Sequence, residues 1–287
     1  MKIVCQTVLL VLTLFPGYLF ATDHIRFEKG QSSIDIRNSY KESLIKLALD
    51  VTVADFGPYL FSTDAPIMNA LQARKQLKNG GHRVNVFIAV TNHDWESETI
   101  AIKIPVRKGL LNYRLLLIHN ESAPLFAPIQ TIEQLKAFNA GLLFGWSITS
   151  VMEEIGFKVK RGSDYNGLFR MLDVRRFDFL LRGVNEIFGE LAQRKDILKH
   201  VIIEPHLALY IPGASYIFVS PKYPRIAERL RVGLERLIAD GRFDTLFHQY
   251  FDDAIERAKL NERHIIKLDM YSSQVTLPSG DDLWFTP

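Results

Sequence analysis

The chain has 287 residues, 47% of them hydrophobic and 23% charged, and its 35 Lys and Arg stand against 32 Asp and Glu for a net charge of +3. Such proportions belong to an ordinary globular protein and exclude a disordered chain, a collagen-like repeat and a polytopic membrane protein. A near-neutral balance also supplies no global field that would draw in nucleic acid or an anionic membrane surface.

In chain order, Lys2 is followed by a charge-free, mostly apolar run over residues 3–20, broken by Pro16-Gly17, with Ala21 ahead of the polar Thr22-Asp23-His24. A basic start, an apolar segment, a helix breaker and a small residue predict a secretory signal peptide over residues 1–21. An uncleaved anchor is the alternative, because about 18 apolar residues nearly span a bilayer. Cleavage removes Cys5, the sole cysteine. The exported, periplasmic chain then has no disulfide to form, no zinc-thiolate site and no cysteine nucleophile. No second apolar run reaches transmembrane length, so no membrane insertion is expected after cleavage.

Downstream, strand-like and helix-like periodicities alternate. Ser39-Tyr40-Lys41-Glu42 has capping-box form and opens a helix with Tyr40, Leu44, Leu47, Ala48 and Val51 on one face. A short strand at 59–61 precedes a second helix, begun by Asp64 and Pro66 and stopped by Gly80-Gly81. Residues 84–90 read as a buried strand, residues 100–106 alternate with period two, and residues 113–118 read as another strand. A second set comes next: helix at 131–138, strand at 141–144, helix at 147–155, weak strand at 158–160, helical spacing at 168–172, then strand at 177–181 running into a helix at 185–194. Strands at 201–204, 207–211 and 216–220 lead to a helix after Pro224, a break at Asp240-Gly241, and a last segment with Phe243, Leu246, Phe247, Tyr250 and Phe251 at helical spacing. Two such runs predict an α/β protein of two lobes.

Several of these stretches, taken in order, resemble the extracytoplasmic solute-binding proteins of family 3, in a divergent branch of the polar-amino-acid type. They are DIRNSY over residues 35–40, IPVRKGLLNYRLLLI over 104–118, Gly145-Trp146-Ser147, RFDFLLRGVNE over 176–186, and YIFVSP over 216–221 ahead of the helix ending in Ala239-Asp240-Gly241. The resemblance spans roughly residues 25–251. It implies two α/β lobes joined by two hinge strands (type II periplasmic binding protein-like), with a ligand cleft between them. The first lobe would take residues 22–110 and 213–287, and the second lobe 111–212. Two departures from the amino-acid-binding pattern stand out. Trp95, in Asp94-Trp95-Glu96, takes the place of an Arg that clamps the ligand's carboxylate, and a guanidinium fork has no substitute there. Arg182 lies close to where an Asp would receive the ligand's ammonium.

Each candidate ligand-binding residue has a plainer role beside it. Trp146, Ser147 and Thr149 sit at a strand-to-helix turn, where free N–H groups and the helix dipole favour an anion; alternatively Ser147 caps the helix and Trp146 packs between elements. Arg182, with Asn185 nearby, follows an apolar strand at a position where open α/β sheets place their crevices; its alternative is an ion pair with Glu186, four residues on. Asp35, Arg37 and Tyr40 flank the first helix, where an internal Asp–Arg brace is the stronger reading. Arg74 stands on the second helix, a solvated face being the alternative. Trp95 lies in a polar loop with Asn92, His93, Asp94 and Glu96, either exposed and open to the cleft or packed at the hinge.

No His pair has metal-ligand spacing, Gly145-Trp146-Ser147 lacks the second Gly of a nucleophile elbow, and there is no phosphate-cradling or dinucleotide loop. No cofactor and no metal are therefore expected. The arginines at 170–176 and 225–236 read as solvated helix faces rather than nucleic-acid stripes. The expectation is a monomeric periplasmic protein that captures a small polar solute, amino-acid-like or carboxylate-containing, by lobe closure. A membrane ABC transporter or a sensor is its implied partner, and a sensory subunit, or less favourably an enzyme, the alternative.

Overall fold

The alternation of strand and helix resolves into two lobes, each a sheet clothed by helices. A computed structural model describes residues 22–29, 37–268 and 275–287; the expected signal segment and Asp35 lie outside them, as does the Arg37 side chain. The first lobe begins with β1 (Asp23–Arg26), α1 (Arg37–Asp50), α2 (Val53–Phe56), β2 (Tyr59–Ser62), α3 (Ala70–Lys78), β3 (Val86–Val90), α4 (His93–Glu98) and β4 (Ile100–Ile102). The second lobe continues with β5 (Tyr113–His119), α5 (Ala123–Phe126), α6 (Ile132–Leu135), β6 (Asn139–Leu143), α7 (Ser147–Glu154), β7 (Lys158–Gly162), α8 (Tyr165–Asp173), β8 (Phe179–Gly183), α9 (Val184–Ala192), β9 (Val201–Ile203) and β10 (Leu207–Tyr210). The chain then returns through β11 (Ser215–Val219), α10 (Pro224–Ala239) and α11 (Arg242–Ala258) before β12 (His264–Lys267).

In the first lobe β11 runs antiparallel between β3 and β4, while β1 and β2 pair in parallel. Asn85 stitches the two sheets together. Its Oδ1 accepts from the Arg26 N–H at 2.8 Å, its Nδ2 donates to the His24 carbonyl at 2.7 Å, and its own N–H donates to the Arg26 carbonyl at 3.0 Å. The second lobe is ordered β12-β10-β5-β8-β6-β7, with β9 also on β5. The central strands β5, β6 and β8 are buried on both faces because both faces are covered, whereas the edge strand β7 is mostly exposed. Along β5, Leu115 and Leu117 enter one core while Leu116 and Ile118 enter another. In β3 and β11 the same alternation sends Val86, Ile88, Ile217 and Val219 one way and Phe87, Ala89, Tyr216 and Phe218 the other.

α1 packs along α10 at a contact that only glycine permits: a Cβ on Gly233 would stand 2.2 Å from the Ala48 carbonyl oxygen. Beside it, Arg229 is completely buried and braces α10 to the turn after α1. Its Nη1 donates to Asp23 at 2.8 Å, its Nε to the Thr52 hydroxyl at 3.1 Å, and its Nη2 to the carbonyls of Gly57 at 2.8 Å and Leu49 at 3.3 Å. α11 lies across both lobes, against α1 and α10 of the first and α9 of the second.

The two crossings between lobes run side by side. Val106 donates its N–H to Ser215 at 2.9 Å and Ile211 donates to Asn112 at 2.9 Å. The period-two run at 100–106 stays in the sheet only as far as Ile102, because Pro105 has no N–H to give a ladder and the chain turns there into the hinge. The second helix starts at Ala70 rather than near Asp64, where Asn69 and Gln72 form the reciprocal capping box. The stretch after 213, expected wholly in the first lobe, ends differently: β12 pairs in parallel with β10 and extends the second lobe's sheet. Among the described residues no helix is long and apolar enough to cross a membrane.

Candidate functional site: the cleft between the lobes

The strand ends and helix starts that face each other across the hinge enclose a cleft of about 750 Å³, counting its solvent-open mouth. From the first lobe it is lined by Glu28, Asn38 and Lys41 and by β3 from Phe87 to Val90. Arg107 and Leu111 line it from the hinge, and Arg114, Trp146, Ser147, Ile148, Arg182 and Glu186 from the second lobe. Six of these residues are ionisable, and burial makes their pairing decisive, since an unpaired charge inside a protein is costly.

Most of the charges are matched. Lys41 pairs with Glu28. Arg182 is gripped by Glu190 through a two-point fork, Nε to Oε2 at 2.6 Å and Nη2 to Oε1 at 2.5 Å, and also meets Glu186 at 3.0 Å. Burial works against the Arg182 charge, but Glu186 and Glu190 outweigh it and hold its pKa above the ordinary value. The guanidinium also lies over the Trp146 ring, 4.5 Å from its centroid. Arg107 donates to the Ser215 hydroxyl at 3.1 Å.

Arg114 differs. It is only 8% exposed, its Nε is sealed from solvent without an acceptor, and among the described residues no carboxylate comes within ion-pair distance. Burial pushes its pKa down to about 10; Glu186 acts the other way, while Arg182 and Arg107 add to the depression. The group keeps its charge at neutral pH.

In the same lobe, and lining the same space, α7 begins without a side-chain cap. Trp146 occupies the N-cap position and makes no capping bond, so Ser147 is the first helical residue rather than the cap. The first N–H groups of a helix have no intrahelical acceptor, and Ser147 and Ile148 both line the cleft. Gly145 makes the turn into α7 at φ +84°, and a Cβ there would stand 2.8 Å from the Asn69 side chain of the opposite lobe. The lobes therefore meet at this point.

A neighbouring recess of about 740 Å³ continues the cleft along α7. Its charges are also matched. Arg74 pairs with Asp94 and approaches Glu98 at 3.6 Å, while Arg161 forks onto Glu153 at 2.7 and 2.6 Å.

The sequence matches no protein-family model and no curated protein. Solved structures match it in fold. An ancestral arginine-binding protein bound to arginine aligns with a TM-score of 0.57 at 16% identity, over 80% of this chain and 98% of its own. A Salmonella typhimurium periplasmic binding protein of high arginine specificity aligns with a TM-score of 0.58 at 14% identity, over 80% of this chain and 100% of its own. A histidine kinase sensor domain similar to periplasmic binding proteins gives a TM-score of 0.59 at 13% identity, over 80% of this chain and 96% of its own. This chain has the type II periplasmic-binding-protein fold.

Within that fold, the residues singled out from sequence separate into three groups. Trp146, Ser147 and Arg182 come together at the cleft, with Arg182 also in the predicted contact with Glu186. Arg74, Trp95 and Thr149 line the adjoining recess. Thr149 spends its hydroxyl on the Leu143 carbonyl at 2.8 Å, and Arg74 is ion-paired rather than solvated. Trp95 is not in an open loop. It lies on α4, whose Asn92 cap accepts the Trp95 N–H at 3.0 Å, and is 3% exposed, stacked on Phe87 at 5.7 Å and against Phe218 at 4.6 Å. Tyr40 and Asn185 line neither cavity. Tyr40 is buried against Phe251 and donates its hydroxyl to the Val106 carbonyl at 2.6 Å, bracing α1 to the hinge. Asn185 sits half-buried in the first turn of α9. The brace expected of Asp35 and Arg37 falls outside the described side chains.

Lys41, Glu28, Arg107 and Arg114 join the site without having stood out in the sequence. A signal for Arg114 was present, namely a single charge inside the apolar strand Tyr-Arg-Leu-Leu-Leu-Ile at residues 113–118.

Proposed function

We propose that the chain is an extracytoplasmic solute-binding protein, a divergent relative of the family-3 binding proteins, exported by residues 1–21 and acting on a small polar solute. The observation that carries this reading is the cleft itself: both lobes and the hinge contribute buried charged groups and an aromatic ring to one space. Affinity would come from closing the lobes so that these groups lose water together around the solute. Residues 22–110 and the return through α10 and α11 form one jaw, and residues 111–212 with β12 the other. The binding set is Trp146 and Ser147, with Arg74, Trp95 and Thr149 around the adjoining recess. Glu28 and Glu186, the acidic groups of the cleft among the described residues, are each neutralised by a cation at contact. That supports binding over acid–base catalysis, which needs a carboxylate available to move a proton.

Once the solute is captured, delivery to an ABC-type transporter is the first reading of its fate. Sensing is the second, favoured by the likeness in fold to a histidine kinase sensor domain. A thermal-shift screen of residues 22–287 against amino acids, organic acids, amines, sugars and short peptides tests the binding function. A true ligand raises Tm with concentration, stabilising by about 2.7 kcal/mol at a hundred times Kd. No shift with any class would overturn it.

A further inference from the structure

The geometry points to an anion as the solute, specifically a small organic carboxylate without a cationic group, with Arg114 as the residue that binds its carboxylate. This deepens the solute-binding reading and rests on it.

Three observations converge. The first concerns cations. Of the four described cations that line the cleft, Lys41 lies on Glu28, Arg182 lies on Glu190 and Glu186, and Arg107 is bonded to Ser215. Arg114 is more than nine-tenths buried and has no carboxylate at ion-pair distance among the described residues, and its Nε has no acceptor. A guanidinium in that state is a planar set of donors still to be matched, and a carboxylate is the group that fits it at two points.

The second concerns acids. An α-amino acid brings an ammonium as well as a carboxylate, and a buried ammonium needs a counter-charge. Among the described residues, Glu28 and Glu186 are the acids lining the cleft, and each already faces a cation. Glu186 also accepts the Gly183 N–H at 3.0 Å. An ammonium arriving here would have to compete with Lys41 or Arg182.

The third is the helix start that shares the second lobe's side of the cleft with Arg114. The uncapped start of α7 presents Ser147 and Ile148 to the same space, and such a helix start favours negative charge. Arg114 and this helix start also line a smaller niche together with Asn112 and Ile211, at the hinge end of the cleft. A carboxylate seated there would touch the second lobe and the hinge at once, leaving the remainder of the solute toward β3 of the first lobe.

Isothermal titration of residues 22–287 at neutral pH with matched pairs tests this. The pairs are succinate against aspartate, glutarate against glutamate and butyrate against 2-aminobutyrate, with putrescine and inorganic phosphate as further arms. At least one carboxylate should bind, its amino-acid partner at least tenfold more weakly, and putrescine not at all. Arg114→Met should lose at least a hundredfold in affinity for that carboxylate while its ligand-free Tm stays at or above wild type. Arg114→Lys should recover part of the affinity. Tighter binding of the amino acid than of its deaminated partner overturns the proposal, leaving the solute-binding function intact, and so does binding of phosphate in preference to every carboxylate. Carboxylate affinity within threefold of wild type in a folded Arg114→Met overturns the role of Arg114. If no arm binds, and the wider screen is also silent, the solute-binding reading itself falls.

Discussion

The base of the first lobe and the floor of the cleft each bury an arginine, and the two are in opposite states. Arg229 is 0% exposed and every nitrogen of its guanidinium donates, to Asp23, to Thr52 and to backbone carbonyls. Arg114 is nearly as buried but, among the described residues, lacks both a carboxylate partner and an acceptor for its Nε. The difference teaches how to tell a brace from a receptor. A buried cation completed by its own chain holds the fold together, whereas one left incomplete beside a cavity costs the empty protein stability that a ligand can restore. Arg194 shows that an unpartnered Nε is not enough by itself. It is 1% exposed and lacks an Nε acceptor, yet Nη1 donates to the Glu190 carbonyl at 2.9 Å, Nη2 to Asn166 at 2.7 Å, and its Cζ lies 4.1 Å from the Phe169 ring centroid.

Substitution should separate these states most sharply at Arg229. Arg229→Met strands Asp23 and several carbonyls in the core, and urea unfolding should show a loss of about 3–5 kcal/mol. Arg114→Met should be at least as stable as wild type, because it removes an unmatched charge. Equal losses at the two positions would break the comparison. Arg182 sharpens it from inside the cleft. Arg182→Met leaves Glu186 and Glu190 buried without their cation, so its loss should also approach about 3–5 kcal/mol, although the residue lines the same cavity as Arg114. Arg194→Met should fall between, at about 1–3 kcal/mol, with ligand affinity unchanged in titration.

The smallest effect belongs to the exposed pairs. Lys78 holds the Glu98 carboxyl below its usual range, and Arg161 does the same for Glu153. A carboxyl whose folded pKa is depressed stabilises the fold above its unfolded pKa, and that contribution is lost as pH falls through the folded value. Tm should therefore decline slightly as pH drops below the ordinary glutamate value of 4.5. Added salt should shrink this component of the decline, since these pairs face solvent. A salt-insensitive acid transition would instead place the effect in buried groups.

Much of the fold was legible because it rests on local patterns. The helical spacing of Leu230, Leu234 and Leu237, the strand runs at 84–90 and 113–118, and the glycine turn before Ser147 all act within a few residues. The cleft was only half legible. Trp146, Ser147 and Arg182 sit at a strand end or a helix start, positions that pattern can find. Arg114 is meaningful only through residues 28, 41, 107, 147 and 182, which the chain brings together from distant stretches. For Trp95 the sequence left exposure and packing open because its neighbours are polar; the Asn92 cap and a one-residue buried face on α4 were the clue to packing. β12 was missed because a four-residue edge strand carries little periodicity and exists by pairing with β10.

The central claim is that Arg114 awaits an acid. The most direct measurement is native mass spectrometry of residues 22–287 purified from an exporting host, with the bound molecule released and identified, beside the same preparation of Arg114→Met. The wild-type chain should carry a small carboxylic acid lacking a basic nitrogen, and the Met variant should be empty. An amino acid or amine in the cleft, or the same acid retained by Arg114→Met, would contradict it.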